Sequence, residues 1–125
     1  MARLIVLSGF SGAGKSTLAR ALNLSGRYAL IASDDYHHCY NPETDVTGLL
    51  IALATAFCAV DISVIVDAVN KHPGDSARWH EAGRAFASFE WLDLDVPLQE
   101  CIRRDSMRVR PVGEAAIRAQ LAASL

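Results

Sequence analysis

The chain has 125 residues, 51% of them apolar, and a formal net charge of −2. That length suits a single domain, residues 1–125, with a core of ordinary size. The near-neutral charge gives no electrostatic footprint of a nucleic-acid-binding surface, and three widely spaced cysteines (Cys39, Cys58, Cys101) imply neither a disulfide framework nor a cysteine metal site.

In chain order, "RLIVLS" (3–8) is a near-continuous apolar run, the pattern of a strand buried on both faces. A glycine-rich loop follows, and "KSTLARALNLSG" then reads as a helix stopped at Gly26. "YALIA" is a second short strand, and "SDDYHHCYNPETD" a polar loop ending in turn signals. "VTGLLIALATAFCAV" predicts a buried helix with Asp45 as its N-cap. "ISVIVDAV" is a third strand, "NKHPGD" a turn, and "SARWHEAGRAFAS" a helix with Trp79, Ala82 and Phe86 on one side. "FEWLDLDV" alternates as a fourth strand. Pro97 opens the helix "PLQECIRRDSMRVR", Pro111 breaks it, and "GEAAIRAQLAASL" is a terminal helix.

Strands alternating with helices predict an α/β fold, a three-layer αβα sandwich with a mainly parallel sheet of four to five strands. The longest apolar run, from Gly48 to Val60, is too short to span a bilayer, so no membrane partner is expected. The cysteine usage fits a reducing compartment, and no secretory leader precedes the first strand, so a cytoplasmic location is expected (a host cytoplasm if the gene belongs to a phage).

In such folds ligands sit at the carboxyl ends of the strands. Three stretches fall there: Gly9–Thr17, Ser33–Cys39 and Asp67–His72. In the first, Gly9, Gly14, Lys15 and Ser16 complete G-x-x-x-x-G-K-[ST] between a strand and a helix. Glycines let the backbone close around phosphate oxygens, and successive N–H groups with the helix dipole make an anion nest. Gly9, Ser11, Gly12, Ala13, Gly14, Lys15, Ser16 and Thr17 are therefore the expected contacts to a nucleoside triphosphate such as ATP. Lys15 would reach its β- and γ-phosphates and Ser16 would ligate Mg²⁺.

The remaining candidates concern the phosphate's destination. Asp34 and Asp35 follow the second strand, and alternation predicts that they point apart. One carboxylate near an acceptor hydroxyl is the general-base arrangement of phosphoryl transfer; a loop-capping pair is the plainer reading. Asp67 ends the third strand, where it can orient Mg²⁺ or bind the acceptor, or simply cap the strand end. Arg104, Arg108 and Arg110 follow from "IRRDSMRVR", with Arg104 and Arg108 four apart on one helix face. They read as a lid over triphosphate oxygens, or as an exposed basic face. Charge is segregated along the chain. From Asp34 to Asp67 there are six acids and no Lys or Arg, and from Arg103 to Arg118 there are five arginines against Asp105 and Glu114. Two solvated faces are the usual meaning of such a pattern.

Taken together, "GFSGAGKST", "SDDYH", "DVTGLL", "VDAVNKHP" with "RWHEAG", and "DVPLQECIRRDSMR" resemble, in content and order, the polynucleotide kinase-like family of P-loop kinases. The resemblance covers nearly the whole chain. It implies transfer of the ATP γ-phosphate to a hydroxyl of a nucleic acid or nucleotide-like acceptor. It makes Asp34 the catalytic base, with Arg104 and Arg108 the two lid arginines on the donor. Asp67 resembles the family's active-site Asp, and Asn70 its nearby Asn, offset by one residue. Asp35 and His37 fall among the acceptor-contacting positions. Where polynucleotide-type members carry an arginine after D-D-Y, this chain has His37, which weakens any grip on a polyanionic acceptor; Lys71 is the candidate substitute. The loop string "SGAGKST" also resembles adenylylsulfate kinase, though that family has D-G-D where this chain has "SDDY". Phage kinases acting on a hydroxymethyl group of a modified pyrimidine in DNA are a third resemblance. A nucleotide-dependent switch ATPase is the alternative from another class.

Other signals carry less. "HHC" (37–39) lacks the second ligand cluster that zinc sites use. The D-x-D of Asp93 and Asp95 is followed by too little chain for an aspartyl-phosphate phosphatase. Trp79 and Trp91 read as core residues, and the cysteines as apolar fillers.

Overall fold

A computed structural model describes residues 1–125. Four parallel strands form one sheet in the order β2-β3-β1-β4: β1 (Arg3–Ser8), β2 (Ala29–Ala32), β3 (Val64–Asp67) and β4 (Ser88–Asp93). The helices are α1 (Lys15–Leu22), α2 (Val46–Ala59), α3 (Asp75–Gly83), α4 (Leu98–Ser106) and α5 (Glu114–Ala123). The α/β class, the parallel sheet and the flanking helices are those expected, with four strands.

The three layers follow from strand alternation. On one face of the sheet, Leu4 and Val6 of β1 and Val64 and Val66 of β3 pack with Leu50 and Ala54 of α2 and with Trp79 of α3. On the other, Ile5, Leu7 and Ile65 pack with Ala19 of α1. β1 lies between β3 and β4, and its residues from Leu4 to Ser8 are buried, which explains why it reads as a continuous apolar run. Trp79 is 0% exposed, as a core residue should be.

Four local expectations change. The Ser33–Cys39 segment is a 3-10 helix rather than a loop, so Asp34 and Asp35 diverge by helical rotation and not by strand alternation. α2 is less buried than its apolar run suggests, since only Leu50 and Ala54 are fully covered while Ala52 and Ala56 face outward; alanine is a good helix former that tolerates exposure. α4 ends at Ser106, so Arg108 and Arg110 lie beyond the helix. Cys39 is exposed and is not a core filler, whereas Cys101 is buried.

Asp45 caps α2 as expected: Gly48 N–H donates to its Oδ1 at 3.0 Å. Arg78 of α3 grips the same carboxylate with two hydrogen bonds, at 2.9 and 2.8 Å. A Cβ on Gly48 would lie 2.2 Å from Asp45 Oδ2, so this cap requires glycine there. Hydrogen bonds from Arg78 and then Gly48 lower the Asp45 pKa from 3.8 to about 2. A depressed acid contributes stability above its unfolded pKa and loses it as pH falls through the folded one. Urea titrations should therefore show a loss of stability between pH 3.8 and about 2 that Asp45→Asn reduces; equal acid limbs in the two proteins would remove this cap from the balance.

Candidate functional site

The glycine loop after β1, the end of β3, the start of α1, the 3-10 turn and the C-terminal part of α4 surround a cleft of about 810 Å³. Ser11, Gly12, Gly14, Lys15, Ser16 and Thr17 line one side of it, and Asp34, Asp67, Arg104 and Arg108 complete it. Residues far apart in sequence thus meet in one place. The acidic and basic segments contribute to walls of the same cleft, so for these four residues the reading of separate solvated faces does not hold.

The loop is built tightly. Gly12 and Gly14 adopt φ values of 87° and 97°, where a side chain is strained. A Cβ on Gly12 would also lie 2.2 Å from the Cys101 carbonyl oxygen, so α4 packs directly on the loop backbone. Lys15 is 8% exposed, and its ammonium donates to Gly9 O at 2.7 Å and Phe10 O at 3.0 Å. It therefore braces the loop from within while retaining a third N–H donor. Burial lowers its pKa, opposed by the charges of Asp67 and Asp34. Ser16 Oγ donates to Asp67 Oδ2 at 2.7 Å. The parallel pairing of β1 with β3 brings that carboxylate to the loop, placing Asp67 opposite Leu7 in register.

Arg104 and Arg108 reach the cleft differently. Arg104 is held by Glu100 through its Nε at 3.0 Å and donates to Ala13 O at 3.5 Å. Arg108 lies past the end of α4, and its NH1 donates to Asp105 Oδ1 at 3.4 Å. The shared helix face expected for this pair is absent, yet both line the cleft. Arg110 does not line it.

The other expected contacts lie elsewhere. Asp35 and His37 are exposed on the 3-10 turn and are not part of the cleft wall. Asn70 is 7% exposed and committed to the core: it donates to Leu7 O at 2.8 Å and accepts from the Trp79 indole N–H at 3.0 Å. With φ of 51°, it turns the chain after β3. These bonds give Asn70 a structural role, and it also lines a smaller cavity beside the cleft. Lys71 is paired with Asp93 at 2.7 Å and lies over the Phe10 ring, so it is not a free substitute for the missing arginine. No group of three or more His, Cys, Asp or Glu side chains could hold a metal ion, "HHC" included.

Sequence reasoning missed two residues. Gln120 of α5 accepts from Ser11 N–H at 3.0 Å and donates to Ser11 Oγ at 2.9 Å, tying the terminal helix to the glycine loop. A lone amide in an alanine-rich helix gives no signal of this. Asp105 is 1% exposed and accepts from the N–H groups of Val112 and Gly113 at 3.1 and 2.9 Å, joining α4 to the start of α5. Its spacing of four from Cys101, which puts both on one buried helix face, was the available clue.

Residues 4–124 match a protein family described as an AAA domain. The chain belongs to that AAA domain family. No curated protein matches the sequence. Among solved structures, the chain superposes on one from the Pnkp1/Rnl/Hen1 RNA repair complex with a TM-score of 0.78 at 23% identity, covering 98% of this chain and 44% of that one. It also superposes on a gluconokinase from Sinorhizobium meliloti (TM-score 0.69, 19% identity, 95% and 73% covered). A third is the Mycobacterium tuberculosis APS kinase CysC in complex with AMPPNP and APS (TM-score 0.66, 23% identity, 85% and 69% covered). These likenesses show a P-loop kinase fold. The chain spans less than half the length of the RNA repair chains it matches.

The close approach at Gly12 is testable against Gly26, whose φ is 69° but whose Cβ would meet nothing within 4 Å. Gly26→Ala should cost about 1–2 kcal/mol, the left-handed backbone term alone. Gly12→Ala should cost about 1–3 kcal/mol more, from overpacking against Cys101. Urea denaturation of both variants measures the difference, and equal losses would argue against the α4 contact.

Proposed function

We propose that the protein is a phosphotransferase that moves the γ-phosphate of ATP to a hydroxyl of a nucleic acid or nucleotide-like acceptor. The observation that carries this reading is the convergence of Lys15, Asp34, Asp67, Arg104 and Arg108 on one cleft, over a loop that completes the phosphate-binding motif. Likeness to a chain of an RNA repair complex supports a nucleic-acid end as the acceptor, as do the "SDDYH" and "RRDSMR" segments.

The donor is held by the loop. Its backbone N–H groups and the start of α1 meet the phosphates, and the Lys15 ammonium offsets their charge. Arg104 and Arg108 close from the α4 side as guanidinium donors to phosphate oxygens. Hard oxygen donors suit Mg²⁺, which is usually held by one or two carboxylates or hydroxyls plus the phosphates themselves. Ser16 and Asp67, joined at 2.7 Å, fit that description. When bound there the ion would neutralise phosphate charge.

Asp34, at the mouth of the cleft, takes the proton of the acceptor hydroxyl. The acceptor oxygen forms a bond to the γ-phosphorus, the bond from that phosphorus to the β-bridging oxygen breaks, and ADP leaves with the electron pair. Arg104, Arg108 and Lys15 stabilise the charge spread over the transferring group, so catalysis is mainly positioning and electrostatics. A nucleotide switch would need a positioned water instead. The Asp34 carboxylate opposite two arginines suits a hydroxyl acceptor better.

Lys15→Ala should abolish phosphate transfer. Asp34→Asn should lower turnover by about 10²–10⁴-fold while leaving nucleotide affinity nearly unchanged. The assay is γ-labelled ATP offered with a 5′-hydroxyl oligonucleotide, DNA carrying hydroxymethylated pyrimidines, adenylylsulfate and free nucleosides. Full turnover in Asp34→Asn would move the base to another residue. ATP consumption with label retained by no acceptor would favour the switch.

A further inference from the structure

A second cavity, of about 220 Å³, lies beside the main cleft and shares Ser33 and Val69 with it. Building on the phosphotransfer reading, we infer that this cavity seats the acceptor, and that it selects an uncharged ring carrying hydroxyl groups, a free sugar or nucleoside, which narrows the acceptor of that reading to its uncharged members.

Size sets the first limit. The cavity falls below the roughly 300–1,000 Å³ of pockets for drug-sized ligands, so it has room for one ring and not for several nucleotides. Its floor is apolar, from Val46, Leu50 and Ala68, which suits a ring face.

Charge sets the second. No Lys or Arg lines the cavity. Of the cations close in sequence to its lining, Lys71 pairs with Asp93 and Arg78 pairs with Asp45, while Lys15, Arg104 and Arg108 line the adjoining donor side. The N-terminus of α2, which would otherwise attract an anion, is capped by the Asp45 carboxylate. Within the wall the only carboxylate is Asp75, 5% exposed, accepting from Thr47 Oγ1 at 2.9 Å and His72 N–H at 3.0 Å. A phosphate would meet a buried negative charge with no cation to offset it.

Hydrogen-bond polarity sets the third. The Thr47 hydroxyl has given its proton to Asp75, and the Tyr40 hydroxyl has given its own to Ser33 O at 2.8 Å. Both oxygens therefore present lone pairs, as does Asp75. The Asn70 and Gln120 amides are each anchored through both oxygen and nitrogen, to Leu7 and Trp79 and to Ser11, and each keeps a second N–H. A wall that offers lone pairs as well as N–H groups pairs fully with a hydroxyl, which both donates and accepts, whereas a phosphate, which only accepts, leaves the Thr47, Tyr40 and Asp75 oxygens unmatched. Gln120 also links this wall to the donor loop through Ser11, so the two sites share a rigid partition.

The test reads binding without nucleotide. Trp79 donates its indole N–H to Asn70, which lines the cavity, and the chain has only two tryptophans. In the ¹⁵N-labelled chain of 125 residues the Trp79 indole signal, assigned with Trp91→Phe, is followed during titration with ribose, thymidine and thymidine 3′-monophosphate. Thymidine or ribose should shift it saturably, and which of the two binds tighter distinguishes a nucleoside from a free sugar. Thymidine 3′-monophosphate should bind about tenfold or more weakly than thymidine. His72→Arg, at an exposed position on the rim, should narrow that gap, and Val46→Phe should remove the neutral ligand's shift. Tighter binding of the monophosphate, no shift with either neutral probe, or an unchanged gap in His72→Arg overturns the proposal, whether or not Val46→Phe folds. The phosphotransfer reading fails separately: thymidine that binds but receives no label from ATP, with no other acceptor labelled, removes the reaction and leaves the cavity's selectivity standing.

Discussion

The buried ammonium of Lys15 is the constraint around which the cleft is arranged. A charge taken out of water costs several kcal/mol unless it is compensated. Here two loop carbonyls, Gly9 O and Phe10 O, accept from it directly, and the Asp67 and Asp34 carboxylates act on it from the cleft. Each requirement reaches back into the fold. The carbonyls converge only because the loop curls through Gly12 and Gly14. Asp67 arrives only because β3 runs parallel beside β1 and ends level with it. The sheet order and the loop thus serve one electrostatic arrangement, and a displaced β3 would leave Lys15 short of a counter-charge.

That arrangement divides the cleft into a cationic and an acidic side. Arg104 and Arg108 come from α4 and the turn after it, while Asp34 and Asp67 come from the ends of β2 and β3. The cations gather where a triphosphate would lie, and no Lys or Arg lines the second cavity. Charge segregation along the sequence becomes charge separation across a single site. On the proposed function, an anionic donor would be faced by cations and a neutral acceptor by lone pairs.

Much of this was legible in the sequence. The β1–loop–α1 unit combines a continuous apolar run, a glycine loop and a helix start within a short stretch, and each part is local. The Asp45 cap and the core position of Trp79 follow likewise from neighbouring residues. The arginines were legible as a cluster but not as a geometry, because whether α4 continues past Ser106 depends on Asp105 binding the N–H groups of Val112 and Gly113. The structural role of Asn70 was hidden for a similar reason. Its polar side chain at a strand end suggests a ligand contact, yet the burial of Trp79 leaves an indole N–H that must be satisfied, and Asn70 is the group that reaches it. The Gln120–Ser11 pair spans 109 residues, and nothing in either segment announces the other.

Those long-range contacts bear on how the loop would work. Gly12 lies under the Cys101 carbonyl and Ser11 is held by Gln120, so α4 and α5 clamp the loop from outside while Lys15 braces it from within. Donors fixed in place before charge develops need no reorganisation when it does, which is where most electrostatic catalysis gains its advantage. A glycine loop alone is permissive and would pay conformational entropy to adopt one shape. In this chain that ordering is already made by folding, through one carbonyl, one amide and one ammonium. The terminal helices therefore belong to the proposed donor site as much as the loop does, although neither α4 nor α5 adds a strand to the sheet.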